Sequence, residues 1–381
     1  MNPWPSECHS DALPTAPHPR KGLYYNSLLP WDCQAEIQNN RRNFGGADGR
    51  PARRFLMSGE KRPPRCGIMA KNDEEAIAMA NIIAMVWDFD KTLIDGYMED
   101  PIFEEYGVDG RAFWREAGAL PEKYREEQGV KVNPDTIYLN QMIRYAKDGR
   151  FAGLSNEKLR GYGQKLKFYP GVPGIFARTR TLIEENPDYQ DVDIRVEHYI
   201  ISTGLTEIIK GTPIMADVAG VWGCEFIEAA DAGGAPVISE IAYTIDNTTK
   251  TRALFEINKG VGKVSGVDVN TKLPETLRRV HFKNMIYIAD GPSDIPAFSV
   301  VNQNGGATFA VYPKGDAAAL HQVEQMRMDG RIQMFAAADY SEGETADMWL
   351  CDKITAFAER IRAEEAARIA KAAGSAPRHL D

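Results

Sequence analysis

Apolar residues gather into short unbroken runs in this sequence, and nearly every run stops at a polar cluster. Ile82–Trp87 is the first, six apolar residues followed at once by Asp88, Phe89 and Asp90. A run that is apolar throughout, not alternating, predicts a strand covered on both faces. The same pattern predicts strands within 196–204 (VEHYIISTG), 284–291 (NMIYIADG) and 306–313 (GATFAVYP). Between the runs the period lengthens to that of amphipathic helices. Helices are predicted within 110–129, 134–149 and 155–167, with glycine or proline breaks between them, and after the turn that opens 168–186. Further helices are predicted over 208–220, over 249–262 with Thr249 as the cap, and over the alanine-rich stretch 352–374. Residues 221–245 alternate and turn back at Asp231–Gly234, which predicts a strand and hairpin. No internal repeat is visible.

Fully apolar strands separated by helices predict an α/β fold, a Rossmann-like doubly wound parallel sheet covered on both faces. Residues 97–171 lack strand signals and read as an α-helical insertion into that core. The expected division is therefore a core from 80–96 and 172–350, a helical cap at 97–171, and a C-terminal helix and tail at 351–381. Residues 1–68 follow another pattern. They hold nine of the 22 prolines and no sustained period, and their ten Lys/Arg against six Asp/Glu give +4, where the rest of the chain has 35 against 48, or −13. Such a segment buries too little apolar surface to offset its ordering entropy, so it is expected to be a disordered extension. Met69 is also a natural start for a domain, so an overlong gene start is the other reading.

Composition narrows the function classes. The chain has 381 residues, 43% hydrophobic and 26% charged, which suits an ordinary globular protein. A net charge of −9 argues against general binding to nucleic acid or to an anionic membrane. No run approaches the ~18 apolar residues of a membrane span, and no secretory signal pattern opens the sequence. Five cysteines, scattered and without a CxxC pair, fit reduced thiols in a cytoplasm better than zinc or disulfides.

Four polar clusters follow strands or open helices. In Asp88-Phe89-Asp90-Lys91-Thr92, two carboxylates close together repel unless a cation or proton lies between them. A hard cation such as Mg2+ takes such oxygens, with water and substrate phosphate completing its shell. Ser202-Thr203-Gly204 offers a hydroxyl and loose N–H groups for a phosphate oxygen, although the same residues suit an ordinary turn. Lys250 stands at a helix start, against the helix dipole, and pairing with phosphate or a carboxylate would account for it; Lys259 and Lys263 are rivals for that role. Asp290-Gly291-Pro292-Ser293-Asp294 places two more carboxylates after a strand, with Asp294 able to cap the next helix or brace the site.

In this order the clusters resemble those of the haloacid-dehalogenase-like (HAD) hydrolase superfamily, over roughly residues 80–340. DxDxT is present as Asp88, Asp90 and Thr92, the hydroxyl as Ser202, the lysine as Lys250, and DxxxD as Asp290 and Asp294. "DGPSDIPAF" is most similar to the phosphoserine-phosphatase branch, and the long stretch between Asp88 and Ser202 matches a helical cap of the C1 type. The branch's substrate-reading glutamate has no aligned counterpart; Tyr97 and Glu99 are the nearby residues. The resemblance implies a Mg2+-dependent phosphatase for a small phosphorylated metabolite. Asp88 is then the nucleophile and Asp90 the acid/base. Ser202, Thr203 and Lys250 hold phosphate, Asp88, Asp290 and the Asp90 backbone carbonyl hold the metal, and Asp294 supports from behind. Thr92 is expected to tie the loop to backbone. Phe113, Trp114, Tyr124, Tyr138 and Arg144 of the cap are candidates to line the pocket. A phosphotransferase or mutase on the same intermediate, and a non-catalytic phospholigand-binding protein, are the alternatives.

Overall fold

A computed structural model describes residues 81–374. The segment read as disordered, 1–68, and the tail beyond 374 lie outside them. Seven strands form one sheet: β1 (Ile82–Trp87), β2 (Arg195–Leu205), β3 (Val218–Ala230), β4 (Pro236–Tyr243), β5 (Met285–Ala289), β6 (Ala307–Tyr312) and β7 (Met334–Ala337). Their order is β4-β3-β2-β1-β5-β6-β7, parallel except for the β3–β4 hairpin. Every side chain of β1 and β5 is buried, as expected where helices cover both faces. This is the predicted α/β, doubly wound architecture.

The strand order reverses between β1 and β5, the point at which parallel sheets of this kind open a crevice. Register decides what meets there. Trp87 pairs with Ile200 on one side and with Ile288 on the other. Asp88, Ser202 and Asp290 therefore all lie within two residues of one level of the sheet.

Between β1 and β2 the chain makes α1 (Asp100–Tyr106), α2 (Gly110–Gln128), α3 (Ile137–Lys147) and α4 (Asn156–Tyr162), then α5 (Gly174–Glu184) of the core. The strands leading into and out of the helical stretch lie side by side, with Tyr169 N–H donating to Leu93 O (3.0 Å) and Asp95 N–H to Lys167 O (2.9 Å). After β2 come α6 (Thr206–Lys210), α7 (Thr249–Lys259), α8 (Ile295–Gln303), α9 (Ala317–Met328) and α10 (Thr345–Gly374). Helix α5 packs against α10, and α7 against α8.

Three expectations need correction. The helix read over 208–220 ends at Gly211. Pro213 opens a 3-10 turn, and Val218 already belongs to β3. Thr249 is not the cap of α7: Thr248 holds that position and makes no side-chain cap bond, while the Asp246 carboxylate accepts the N–H groups of Thr248 (2.9 Å) and Thr249 (2.7 Å). The C-terminal helix begins at Thr345, seven residues before the alanine-rich stretch. Helices α1 and α9 and strand β7 were not anticipated.

Candidate active site

Asp88 continues the pairing of β1 by one bond, its N–H donating to Ile288 O at 2.8 Å. The chain then leaves the sheet sharply. Lys91 adopts φ +54°, a left-handed conformation that few non-glycine residues take. Thr92 is pulled back beneath the turn, and its hydroxyl donates to Asp88 Oδ2 at 3.2 Å. It thus ties the loop to the carboxylate and not to backbone. Asp90 turns the other way, its Oδ1 accepting Met98 N–H at 2.8 Å.

Lys250 arrives from the first turn of α7, 1% exposed, and its Nζ donates to Asp88 Oδ1 and Asp294 Oδ1 at 2.7 Å each. That pairing accounts for a lysine at a helix start. Asp294 occupies the N-cap position of α8 but makes no cap bond. Its carboxylate instead accepts Lys250, the Tyr287 hydroxyl (2.5 Å) and the Ser293 hydroxyl (2.8 Å). Of its two proposed roles, cap and brace, the geometry has the brace. The rival lysines lie elsewhere: Lys259 Nζ donates to Val269 O (2.5 Å) and Thr271 O (2.7 Å), and Lys263 is exposed.

Carboxylates this close shift one another. Burial, then the neighbouring Asp294, pushes Asp88 up to about 6 against the pull of Lys250. Burial and the nearby Asp88 raise Asp290 to about 7, and burial with Glu99 and Asp88 holds Asp90 well above the carboxylate range. Burial alone would lower the Lys250 ammonium, but Asp294 and Asp88 outweigh it and its pKa is raised. Oxygens of Asp88, Asp290 and Asp294 all fall within 4.8 Å of one another. An all-oxygen, acidic donor set suits a hard divalent cation and not a thiophilic one. The Asp90 carboxylate is outside that set.

A cavity of about 230 Å3 opens over these groups, with Asp88, Asp90, Lys250, Asp290, Thr203 and Gly204 at its base. Its volume is below the ~300–1,000 Å3 of pockets that take drug-sized ligands. Ser202 is 1% exposed and does not line it; its hydroxyl accepts Gly204 N–H at 2.9 Å. Of the cap candidates, Trp114 and Tyr138 face the cavity. Phe113 is packed inside the cap, and Tyr124 and Arg144 line a separate groove on it. The cap is closed on the core. Tyr138 OH donates to Thr203 O (2.8 Å), Asn133 Nδ2 to Asp246 Oδ2 (2.9 Å), and Ile238 N–H of β4 to Leu154 O (2.9 Å).

No family model matches the sequence. An uncharacterized protein of Borreliella burgdorferi is 35% identical over 287 residues, covering 72% of this chain and 97% of that protein. The chain belongs to the same family as this Borreliella protein. Among solved structures, a HAD family hydrolase from Salmonella enterica serovar Typhi aligns with a TM-score of 0.41 at 15% identity, over 68% of this chain and 67% of that one. A phospho-aspartyl intermediate analogue of phosphoserine phosphatase aligns with a TM-score of 0.40 at 14% identity, over 67% and 93%. In this member of the Borreliella protein's family, residues from the four clusters, three at or near strand ends and one at a helix start, meet at one end of the sheet, with helices inserted after the first.

Three supports in this family member escaped the sequence reading. Tyr287 sits inside the apolar run of β5, where an aromatic reads as core; the signal was its hydroxyl, which needs a partner when buried. Met98 holds Asp90 by its backbone, which no side-chain pattern reveals. Tyr340, fully buried, donates to Thr92 O at 2.7 Å from 248 residues away.

Proposed function

We propose that the chain is a Mg2+-dependent phosphomonoesterase that hydrolyses a small phosphorylated metabolite through an aspartyl-phosphate. The observation that carries this reading is Asp88, a carboxylate at a rigid strand end, held by Lys250 on one oxygen and by Thr92 on the other, facing a small capped cavity. Asp88, Asp290 and the Asp90 backbone carbonyl would hold the cation, which supplies charge neutralisation between nucleophile and phosphoryl group.

The chain's own groups do the rest. Asp88 attacks phosphorus in line, so its O–P bond forms as the ester P–O bond breaks. Asp90, whose pKa is pushed above the ordinary carboxylate value by burial and then by Glu99 and Asp88, gives a proton to the departing alkoxide. Water then enters. Asp90 takes its proton, the new P–O bond forms, and Asp88 leaves as free carboxylate with inorganic phosphate as product. Lys250 offsets the charge gathering on the phosphoryl oxygens, and Thr203 lines their side of the cavity. The closed cap keeps bulk water from the leaving group.

Hydrolysis of p-nitrophenyl phosphate tests the reading. Turnover is expected with Mg2+, is lost in EDTA, and falls by at least about 10³-fold in Asp88→Asn. Folded, Mg2+-supplied protein that hydrolyses neither this ester nor a panel of metabolite phosphates would overturn it. Transfer to an added alcohol in preference to water would identify a phosphotransferase instead.

A further inference from the structure

Beyond the nucleophile the cavity runs up between core and cap, and its upper half has a chemistry the hydrolytic steps do not use. Three aromatic rings wall it. Trp114 stands between Tyr97 and Tyr138, with ring centroids 5.8 Å and 5.4 Å away. Two carboxylates, Glu99 and Asp135, join them. Glu99 is 2% exposed, yet among the described residues no lysine, arginine or histidine lies within ion-pair distance and no side chain donates to it. Asp135 accepts only a 3.4 Å bond from Asn247 N–H. A buried carboxylate left in this way is costly unless something brings it a charge or a donor.

The cavity has two cations, Lys250 and Lys91. Lys250 is bound to Asp88 and Asp294. Lys91 donates to Tyr97 OH at 2.6 Å and lies 4.2 Å from that ring's centroid. Against Lys91, two acids, Glu99 and Asp135, and the rings of Trp114 and Tyr138 line the rest of this half and are left to receive a cation. Resting on the phosphatase reading above, we propose that the substrate is the phosphomonoester of an alkylammonium alcohol. Glu99 and Asp135 offset its charge, and Trp114 and Tyr138 pack against the alkyl groups on nitrogen. Aromatic faces attract such cations, and most strongly those too alkylated to be well hydrated. The same lining disfavours amino-acid phosphates, whose carboxylate would meet Glu99 and Asp135 with Lys91 alone to offset them.

The test separates binding from turnover. Asp88→Asn protein with Mg2+ is titrated calorimetrically with choline phosphate, ethanolamine phosphate, O-phosphoserine and 3,3-dimethylbutyl phosphate, the neutral isostere of choline phosphate. Choline phosphate is expected to bind at least about tenfold more tightly than the neutral isostere, and phosphoserine more weakly than either ammonium ester. Adding Glu99→Gln should bring the cationic-to-neutral ratio close to one. Trp114→Leu should reduce it severalfold and serves if Glu99→Gln fails to fold. Equal or tighter binding of the isostere or of phosphoserine overturns the inference, as does a ratio that survives both substitutions. Wild-type turnover of the same esters bears on the hydrolase reading separately. Hydrolysis without cationic preference removes this inference alone. Cationic preference in binding without hydrolysis of any ester keeps this pocket and removes the hydrolase.

Discussion

Lys250 carries its charge while 1% exposed, and two carboxylates at 2.7 Å make that tenable. Removing it leaves Asp88, Asp290 and Asp294 facing one another without a cation. Lys250→Met is expected to lose roughly 3 kcal/mol or more of stability at pH 8, since breaking a buried pair leaves uncompensated charge. Carboxylates whose pKa is raised in the folded state bind more protons folded than unfolded, so stability returns as pH falls. Urea unfolding at pH 8 and pH 5.5 should show the deficit shrinking at the lower pH. His198 behaves in the opposite way. It is fully buried, its Nδ1 accepts Trp87 Nε1–H (3.1 Å), its Nε2 faces the Thr179 hydroxyl (3.1 Å), and burial, then Arg180, lowers its pKa to about 3. Unfolded, it takes up a proton near its ordinary 6.5. The folded state therefore forfeits stability as pH drops from about 6.5 toward 3. His198→Gln lacks that titration, so its deficit relative to wild type should shrink by roughly 2 kcal/mol between pH 7 and pH 5. A pH-independent deficit would contradict the assignment. Residues that act through a carboxylate at a strand end or an ammonium at a helix start, such as Asp88, Asp290 and Lys250, stood out in the sequence because charge there is costly without a purpose. Tyr287 did not, because it lies in an apolar run, and Glu99 was noticed only as a neighbour of the first cluster without a role.

At the level of elements, the segment after β7 holds the site together from behind. Tyr340 reaches Thr92 O through its hydroxyl, while its own N–H donates to Pro170 O at 2.8 Å. Arg178 of α5 then joins Tyr340 O (2.6 Å) and Asp347 of α10 (2.7 Å). The return strand from the cap passes so near that a Cβ on Gly171, at φ +84°, would lie 1.9 Å from the Tyr340 carbonyl carbon. Neither backbone can yield without breaking those bonds. Gly171→Ala should cost about 3 kcal/mol or more, read as a fall in urea midpoint with unchanged slope. A loss under about 1 kcal/mol would mean that the segment is not a clamp. Elements with a strong period were legible: β1, β2, β5, β6 and helices α2 to α5 followed from apolar runs and amphipathic spacing. Those that were missed gave little signal. In α9 only Val323 and Met326 are buried, and β7 is four residues long.

For the whole molecule, the sequence predicted the class of fold but could not order the strands, because every buried run looks alike and only register decides its neighbours. Closure of the cap was equally hidden, since it depends on single bonds such as Tyr138 to Thr203 and not on any periodic pattern. The sheet's two outer strands have a further consequence. Strand β7 is short, and β4, the antiparallel margin, has its Ile238 N–H engaged by Leu154 of the cap. A raised cap would uncover this main-chain donor at the margin of the sheet, and an unpaired edge is a template for another chain. A ligand that keeps the cap down therefore also guards against self-association, so solubility in storage and occupancy of the pocket are linked through one margin of the sheet.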